Sequence, residues 1–97
     1  SAASDVYKRQ SLYNANTNMI VSAKDNLNIS TASGIVSVKS GDKIDIRAKT
    51  SMIVNPETSL TTTVGTTWTS TTGGTWTHTS GGDITITGGP NINLNPS

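Results

Sequence analysis

The sequence predicts an all-β fold, an octapeptide-repeat triple-stranded β-helix in which three identical chains intertwine as a β-prism needle. Three observations predict it. Apolar residues recur every eight positions from residue 44 to residue 94, glycine recurs at the same period, and apolar and polar residues alternate within each octad. Several series of residues that share one period indicate a repeat architecture. Alternation at period two is typical of a strand with one buried face.

The composition favours a hydrogen-bonded ladder over a compact core. Hydrophobic residues are 32% of the chain and charged residues 13%, against about 45–50% and about 25% in ordinary globular domains. Disorder requires low hydrophobicity together with high net charge, whereas the net charge here is +1. The chain has no cysteine, which excludes disulfides and thiolate metal sites. It also has no apolar run of the roughly 20 residues that a transmembrane helix needs.

Two series of residues are predicted to face the core. The first series is Ile44, Met52, Leu60, Trp68, Trp76, Ile84 and Ile92. The second follows two residues later and is polar in its middle: Ile46, Val54, Thr62, Ser70, His78, Ile86 and Leu94. The apolar members of both series are the predicted trimer core. The residues between them, Thr77 for example, are predicted to face outward, with Ile53 as the apolar exception.

A third series leads the first by three residues and marks the corners. It consists of Gly41, Lys49, Glu57, Gly65, Gly73, Gly81 and Gly89. Its five glycines are predicted to be turn residues, because glycine alone takes positive φ freely. Each octad is therefore predicted to be a short strand followed by a kink, and no segment has helical spacing.

Three segments are predicted along the chain. Residues 1–10 do not show the residue pattern of the repeat and are expected to be a non-native or disordered extension. Because the chain does not begin with Met, it is expected to be a fragment of a longer protein. Residues 11–35 are predicted to be N-terminal β-repeats in an offset register, since the pattern slips by one residue there, and a bulge near Gly34–Ile35 would absorb the slip. Residues 36–97 are predicted to be the regular octad β-helix that ends in the tip.

A single-chain β-solenoid is the alternative fold. Such solenoids have coils of roughly 20–30 residues, which should impose a longer variation on the octad, and successive octads here look equivalent. Equivalent octads favour three identical chains around a threefold axis. Closed symmetry of that kind also leaves strand edges only at the two ends.

The octads resemble a known family over about residues 12–97. The segments VGTTW at 64–68, GGTWT at 73–77 and GGDITI at 81–86 resemble the C-terminal β-helix of contractile-tail phage spike proteins and type VI secretion VgrG proteins. The segment SGDKIDIRA at 40–48 is similar to the VgrG form of the repeat, and GPNINLNP at 89–96 is similar to the end of a needle.

This resemblance implies a homotrimeric, non-catalytic needle that pierces a target-cell envelope. It would be a virion component of a tail-spike baseplate, or the secreted tip of a type VI apparatus, which is extracellular on delivery. A tip-capping protein at the C-terminal end and transient contact with the envelope are the partners it implies, and no cofactor is expected. The family's oligosaccharide-binding-fold, hub and lysozyme domains are absent from this sequence, so only the needle function is carried over.

Residues that could carry chemistry are few. Asp42 and Asp45 share an octad, but their odd spacing places them on opposite faces of a strand, and Asp83 is five octads away. His78 is the only histidine and has no neighbouring histidine with which to bind a metal. No phosphate loop and no dense basic patch for nucleic acid is present. We therefore predict no catalytic, cofactor-binding or metal residues.

A binding module is the alternative function, namely a β-solenoid of adhesin or ice-binding type that presents a threonine ladder. Threonine at positions 61, 69, 77 and 85 keeps one register and supports it. The weakness of this alternative is that only one row of threonines is regular. Thr69 and Thr77 are the second residues of their Thr-x-Thr pairs, whereas Thr85 is the first residue of its pair.

Overall fold

The computed structural model describes residues 16–96. The chain divides into two units, Ser1–Met52 and Ile53–Ser97, whose described parts are residues 16–52 and 53–96. Neither unit contains a helix or a strand within these described parts. Residues 16–96 accordingly include no helix of the length and apolarity needed to cross a membrane.

Both units are built from extended segments that are joined by sharp bends. In the first unit the bends lie at residues 16–17, 24–25, 32–34, 41–42 and 49–50. In the second unit they lie at residues 57–58, 65–66, 73–74, 81–82 and 89–90. Successive bends begin eight residues apart except at one step. The corner positions of the sequence repeat, from Gly41 to Gly89, each open one of these bends.

The exceptional step lies where the sequence pattern slips. The bend that begins at residue 32 has three residues instead of two, and the next bend begins nine residues later, at Gly41. The extra residue is therefore taken up inside a bend that ends at Gly34. A bulge was predicted near Gly34–Ile35. The structure places the irregularity at the bend itself, just before that point.

In one extended segment, two side chains that are two residues apart lie together. Arg47 donates from its Nε to Asp45 Oδ1 and from its second terminal nitrogen to Asp45 Oδ2, both at 2.9 Å. Residues i and i+2 of an extended chain share a side, so this contact places Asp45 and Arg47 together on the side opposite to Ile44 and Ile46. Both partners are well exposed, with relative accessibilities of 50% and 86%.

Hydroxyl side chains directly before a bend hold that bend in place. Ser40 Oγ accepts from the Asp42 amide at 3.2 Å, and Thr31 Oγ1 accepts from the Gly34 amide at 3.2 Å. Ser80 Oγ accepts from the Gly82 amide at 3.3 Å and donates to the Asp83 carbonyl at 3.4 Å. Thr72 Oγ1 donates to the Gly74 carbonyl at 3.0 Å. Every Ser or Thr in this position among the described bends makes such a bond, which is the local turn chemistry that these residues favour.

The reason predicted for the corner glycines is wrong. None of them has a positive φ, and an added Cβ at Gly41, Gly65, Gly73, Gly81 or Gly89 would have nothing within 4 Å. Lys49 and Glu57 open bends of the same kind with full side chains. The conformation of the single chain thus does not require glycine at these corners.

Gly88 is the glycine that its own chain does require. A Cβ built there would lie 2.8 Å from the backbone oxygen of Asn91 and 2.9 Å from Cγ1 of Ile92. Such distances are shorter than real Cβ atoms show, so the chain can follow this path only without a side chain at residue 88. The peptide bond that follows, between Gly89 and Pro90, is cis.

No residue between 16 and 96 is buried by its own chain. The predicted core residues are between 50% exposed, at Ile92, and 86% exposed, at Leu94. Contacts within each unit join only residues that are close in sequence. A β ladder needs a neighbouring strand, so the predicted strands do not form in the described part of one chain, and the β-helix stays a prediction.

Candidate functional site

The candidate site is a groove in the second unit that runs past two tryptophans. It has a volume of about 760 Å³, within the range of about 300–1,000 Å³ that ligand-sized clefts occupy. Its lining residues are Trp68, Ser70, Trp76, His78, Ile84, Thr85 and Ile86. They come from three consecutive extended segments of the chain.

The octad spacing is what brings these side chains together. Trp68 and Ser70 lie between the bends at 65–66 and 73–74, and Trp76 and His78 lie in the next segment. Each pair is an i, i+2 pair, so both members project to one side of an extended backbone. A bend every eight residues then repeats that side from segment to segment. The groove thus contains members of both predicted inward series.

Other predicted inward residues do not line the groove. In the second unit these are Val54, Leu60, Thr62, Ile92 and Leu94. Ile44, Ile46 and Met52 belong to the first unit, where their side chains are 51%, 66% and 60% exposed. Thr85, which was predicted to face outward, also lies at the groove, between Ile84 and Ile86. The side to which it projects stays a prediction.

The side chains that line the groove are mostly apolar or neutral. Its lining contains no carboxylate, lysine or arginine, and His78 is its one titratable side chain. Nucleophilic catalysis would require a hydroxyl or thiol paired with a base, and no hydrogen bond joins Ser70 to His78 in the described structure. Among residues 16–96 no group of three or more His, Cys, Asp or Glu side chains could hold a metal ion. What the lining offers is apolar and aromatic surface for packing.

Of the three acidic residues considered as candidate catalysts, one has a side-chain partner in the described structure. Asp45 is held by Arg47 as described above. The backbone amide of Asp42 and the backbone carbonyl of Asp83 take part in bends, through Ser40 and Ser80. None of these contacts brings two carboxylates together.

The charged residues are concentrated in the first unit. Residues 39–49 contain Lys39, Lys43, Arg47 and Lys49 together with Asp42 and Asp45, which gives this segment a net charge of +2. All of these residues are exposed. Arg47 and Asp45 neutralise each other, and none of the three lysines forms an ion pair with another described residue. We call Lys39, Lys43 and Lys49 the lysine cluster.

Two of these features had a signal in the sequence that the repeat pattern did not use. Opposite charges at positions 45 and 47 share the predicted outward side of one octad, so the ion pair could have been predicted from the alternation of the sequence alone. A hydroxyl residue directly before a corner, as at Ser40 and Ser80, is a recognised turn signal. The requirement for glycine at position 88 had no sequence signal, because Gly88 and Gly89 are adjacent and only the backbone path distinguishes them.

The chain matches no protein-family model, and it matches no curated protein and no solved structure.

Proposed function

We propose that this chain is a non-catalytic structural protein, one of three identical chains that form a needle for piercing a cell envelope. The observation that carries the proposal is the groove at Trp68, Trp76 and Ile84. It repeats one apolar side at octad spacing in a chain that has no buried residue between positions 16 and 96. The fold that accompanies the proposal is the triple-stranded β-helix, with these side chains directed toward the threefold axis.

Exposure of the two tryptophans supports an obligate partner. Trp68 is 70% exposed and Trp76 is 67% exposed, although aromatic rings are the side chains that gain most from burial. Soluble proteins rarely leave large contiguous apolar patches open, and such patches mark interaction surfaces. A partner that covers this side of the octads supplies the core that a single chain lacks.

The local nature of the contacts favours further copies over a chain that coils on itself. A solenoid with coils of roughly 20–30 residues would place residues that far apart in sequence against each other within the second unit. Contacts there join only near neighbours in the chain. Three copies related by a threefold axis offer each extended segment a neighbouring strand on either side, and the uniform eight-residue spacing of the bends suits that symmetry.

The mechanical task requires a shaft that resists compression, which a continuous ladder of interchain hydrogen bonds supplies. The described residues after Glu57 carry only one charged side chain, Asp83. A nearly neutral surface of Ser, Thr and Asn at the leading end suits passage through an envelope without capture by charged groups. We assign the needle to a phage tail baseplate or to the tip of a type VI secretion apparatus, with a capping protein at the C-terminal end as a further partner.

The mass in solution tests this proposal. Light scattering coupled to size-exclusion chromatography should give three times the chain mass of 10.1 kDa, together with a β-type circular dichroism spectrum. A well-folded species with the mass of one chain would refute the needle. If that monomer also shaped ice crystals or bound glycans, the alternative of a threonine-ladder binding module would be supported.

A further inference from the structure

Charge is distributed unevenly between the lysine cluster and the residues that follow it. From residue 50 to residue 96 only Glu57 and Asp83 carry a formal charge. The segment 39–49 carries a net +2, and in the proposed trimer three copies would bring +6 to about two layers of the needle. The Asp45–Arg47 pair contributes nothing to this excess, so the lysines alone supply it.

The lysines meet no carboxylate in the described part of their own chain. None of the three is engaged in an ion pair within the described residues, and they share their exposure with every other described residue of the single chain. Lys43 shares its side of the segment with Asp45 and Arg47, which is the side opposite to Ile44 and Ile46. An amine at that position projects away from the apolar side and into solvent, where it can reach an anionic group.

The length of the weakly charged stretch indicates where those amines would act. Residues 50–96 comprise about six octads at the observed spacing of the bends. At about 4.8 Å for each strand layer they span about 28 Å in the proposed needle. The hydrocarbon core of a bilayer is about 30 Å thick. A stretch of this length matches one hydrocarbon core, and the lysine cluster comes directly before it in the chain.

We propose that Lys39, Lys43 and Lys49 bind the phosphates of anionic lipid headgroups and hold the needle at the membrane surface once its neutral part has entered. This inference rests on the proposed needle. Ammonium groups on flexible stems suit scattered phosphates, which they meet as point charges. A nucleic acid is a less suitable polyanion, because the segment 39–49 contains no aromatic side chain on which bases could stack.

Vesicle binding tests the lysine cluster directly. The full chain, the triple variant Lys39→Gln/Lys43→Gln/Lys49→Gln and a matched control, Thr61→Gln/Thr69→Gln/Thr77→Gln, are sedimented with vesicles of phosphatidylcholine alone or of equal parts phosphatidylcholine and phosphatidylglycerol. Each basic residue near an anionic surface strengthens binding about fivefold. We expect the triple variant to bind the anionic vesicles at least about a hundredfold more weakly than the parent. The control should bind like the parent, and about 0.5 M salt should release both the parent and the control.

Several results would overturn the inference. These are equal binding of the parent to both kinds of vesicle, equal binding of parent and triple variant, and lysine-dependent binding to a DNA duplex without binding to vesicles. Complete displacement by inorganic phosphate at matched ionic strength would also do so, since it would identify a site for free phosphate.

The mass of each protein, measured on the same samples, separates this inference from the proposed function. If the protein is a trimer and its vesicle binding does not depend on the lysines, the lipid-binding role of the lysine cluster is refuted and the proposed needle is not. A monomer whose binding depends on the lysines refutes the needle and supports the lipid-binding role of the cluster.

Discussion

Replacing Trp76 by aspartate should abolish the proposed trimer, and the size of the effect follows from the exposure of that ring. Trp76 is 67% exposed in one chain. If a tryptophan presents about 250 Å² in full, about 170 Å² of each ring is left for a partner to cover. At about 25 cal/mol per Å² this burial stabilises the assembly by about 4 kcal/mol per chain, or about 12 kcal/mol per trimer.

A loss of that size is decisive for association. Since each 1.4 kcal/mol or so is a factor of ten, the association constant should fall by about nine powers of ten. Three carboxylates brought together near the axis add a further desolvation cost of several kcal/mol. Trp76→Asp should therefore sediment as a single chain at any micromolar concentration.

Thr77→Asp is the matched control. Thr77 is the next residue in the same extended segment, it is exposed, and it does not line the groove. The same charge placed there should leave the mass of the trimer unchanged. Sedimentation velocity on both variants at equal concentration decides the matter. A trimeric Trp76→Asp, or a Thr77→Asp that dissociates equally, would show that the assignment of inward and outward sides is wrong.

Three further predictions concern the bends and the ion pair. Gly88→Ala should lower the thermal midpoint of unfolding clearly, since its Cβ would lie 2.8 Å from a backbone oxygen. Gly73→Ala is the control, because a Cβ there has nothing within 4 Å. A smaller loss for Gly88→Ala than for Gly73→Ala would contradict the requirement for glycine at residue 88. Ser80→Ala removes two hydrogen bonds from its bend and should cost about 0.5–1.5 kcal/mol per chain in chemical denaturation, more than Ser51→Ala in an extended segment. Asp45→Asn should change stability by less than about 1 kcal/mol, because exposed ion pairs contribute little; a larger loss in the same denaturation assay would indicate that the pair is covered in the assembly.

The sequence was sufficient to locate the corners of the repeat. Gly41 and Gly81 open bends that begin at the predicted positions, because the period of a repeat is written directly in the spacing of its residues. The slip before Val36 could also be predicted, since the repeats before and after it are out of step by one residue and that residue must be accommodated between them. Its form was not, because a bulge in a ladder and a longer bend at Gly34 leave the same spacing.

What the sequence did not reveal depends on contacts rather than on spacing. The left-handed conformation expected at Gly73 is absent, since a bend of this kind is open to negative φ and no nearby atom excludes a side chain. The special role of Gly88 depends on where Asn91 returns in space. The burial predicted for Trp68 and Ile84 would require the proposed assembly, and one chain alone leaves both side chains exposed.

The three-residue bend at 32–34 has a consequence for how copies of the chain would align. Identical octads permit two neighbouring copies to slide by one whole repeat and still match apolar side against apolar side. One longer step removes that freedom, because a displaced copy would set its extra residue beside a regular corner and lose the match on one side of it. In the proposed trimer, the one added residue would thereby favour the arrangement in which the bends of all three copies lie at matching levels.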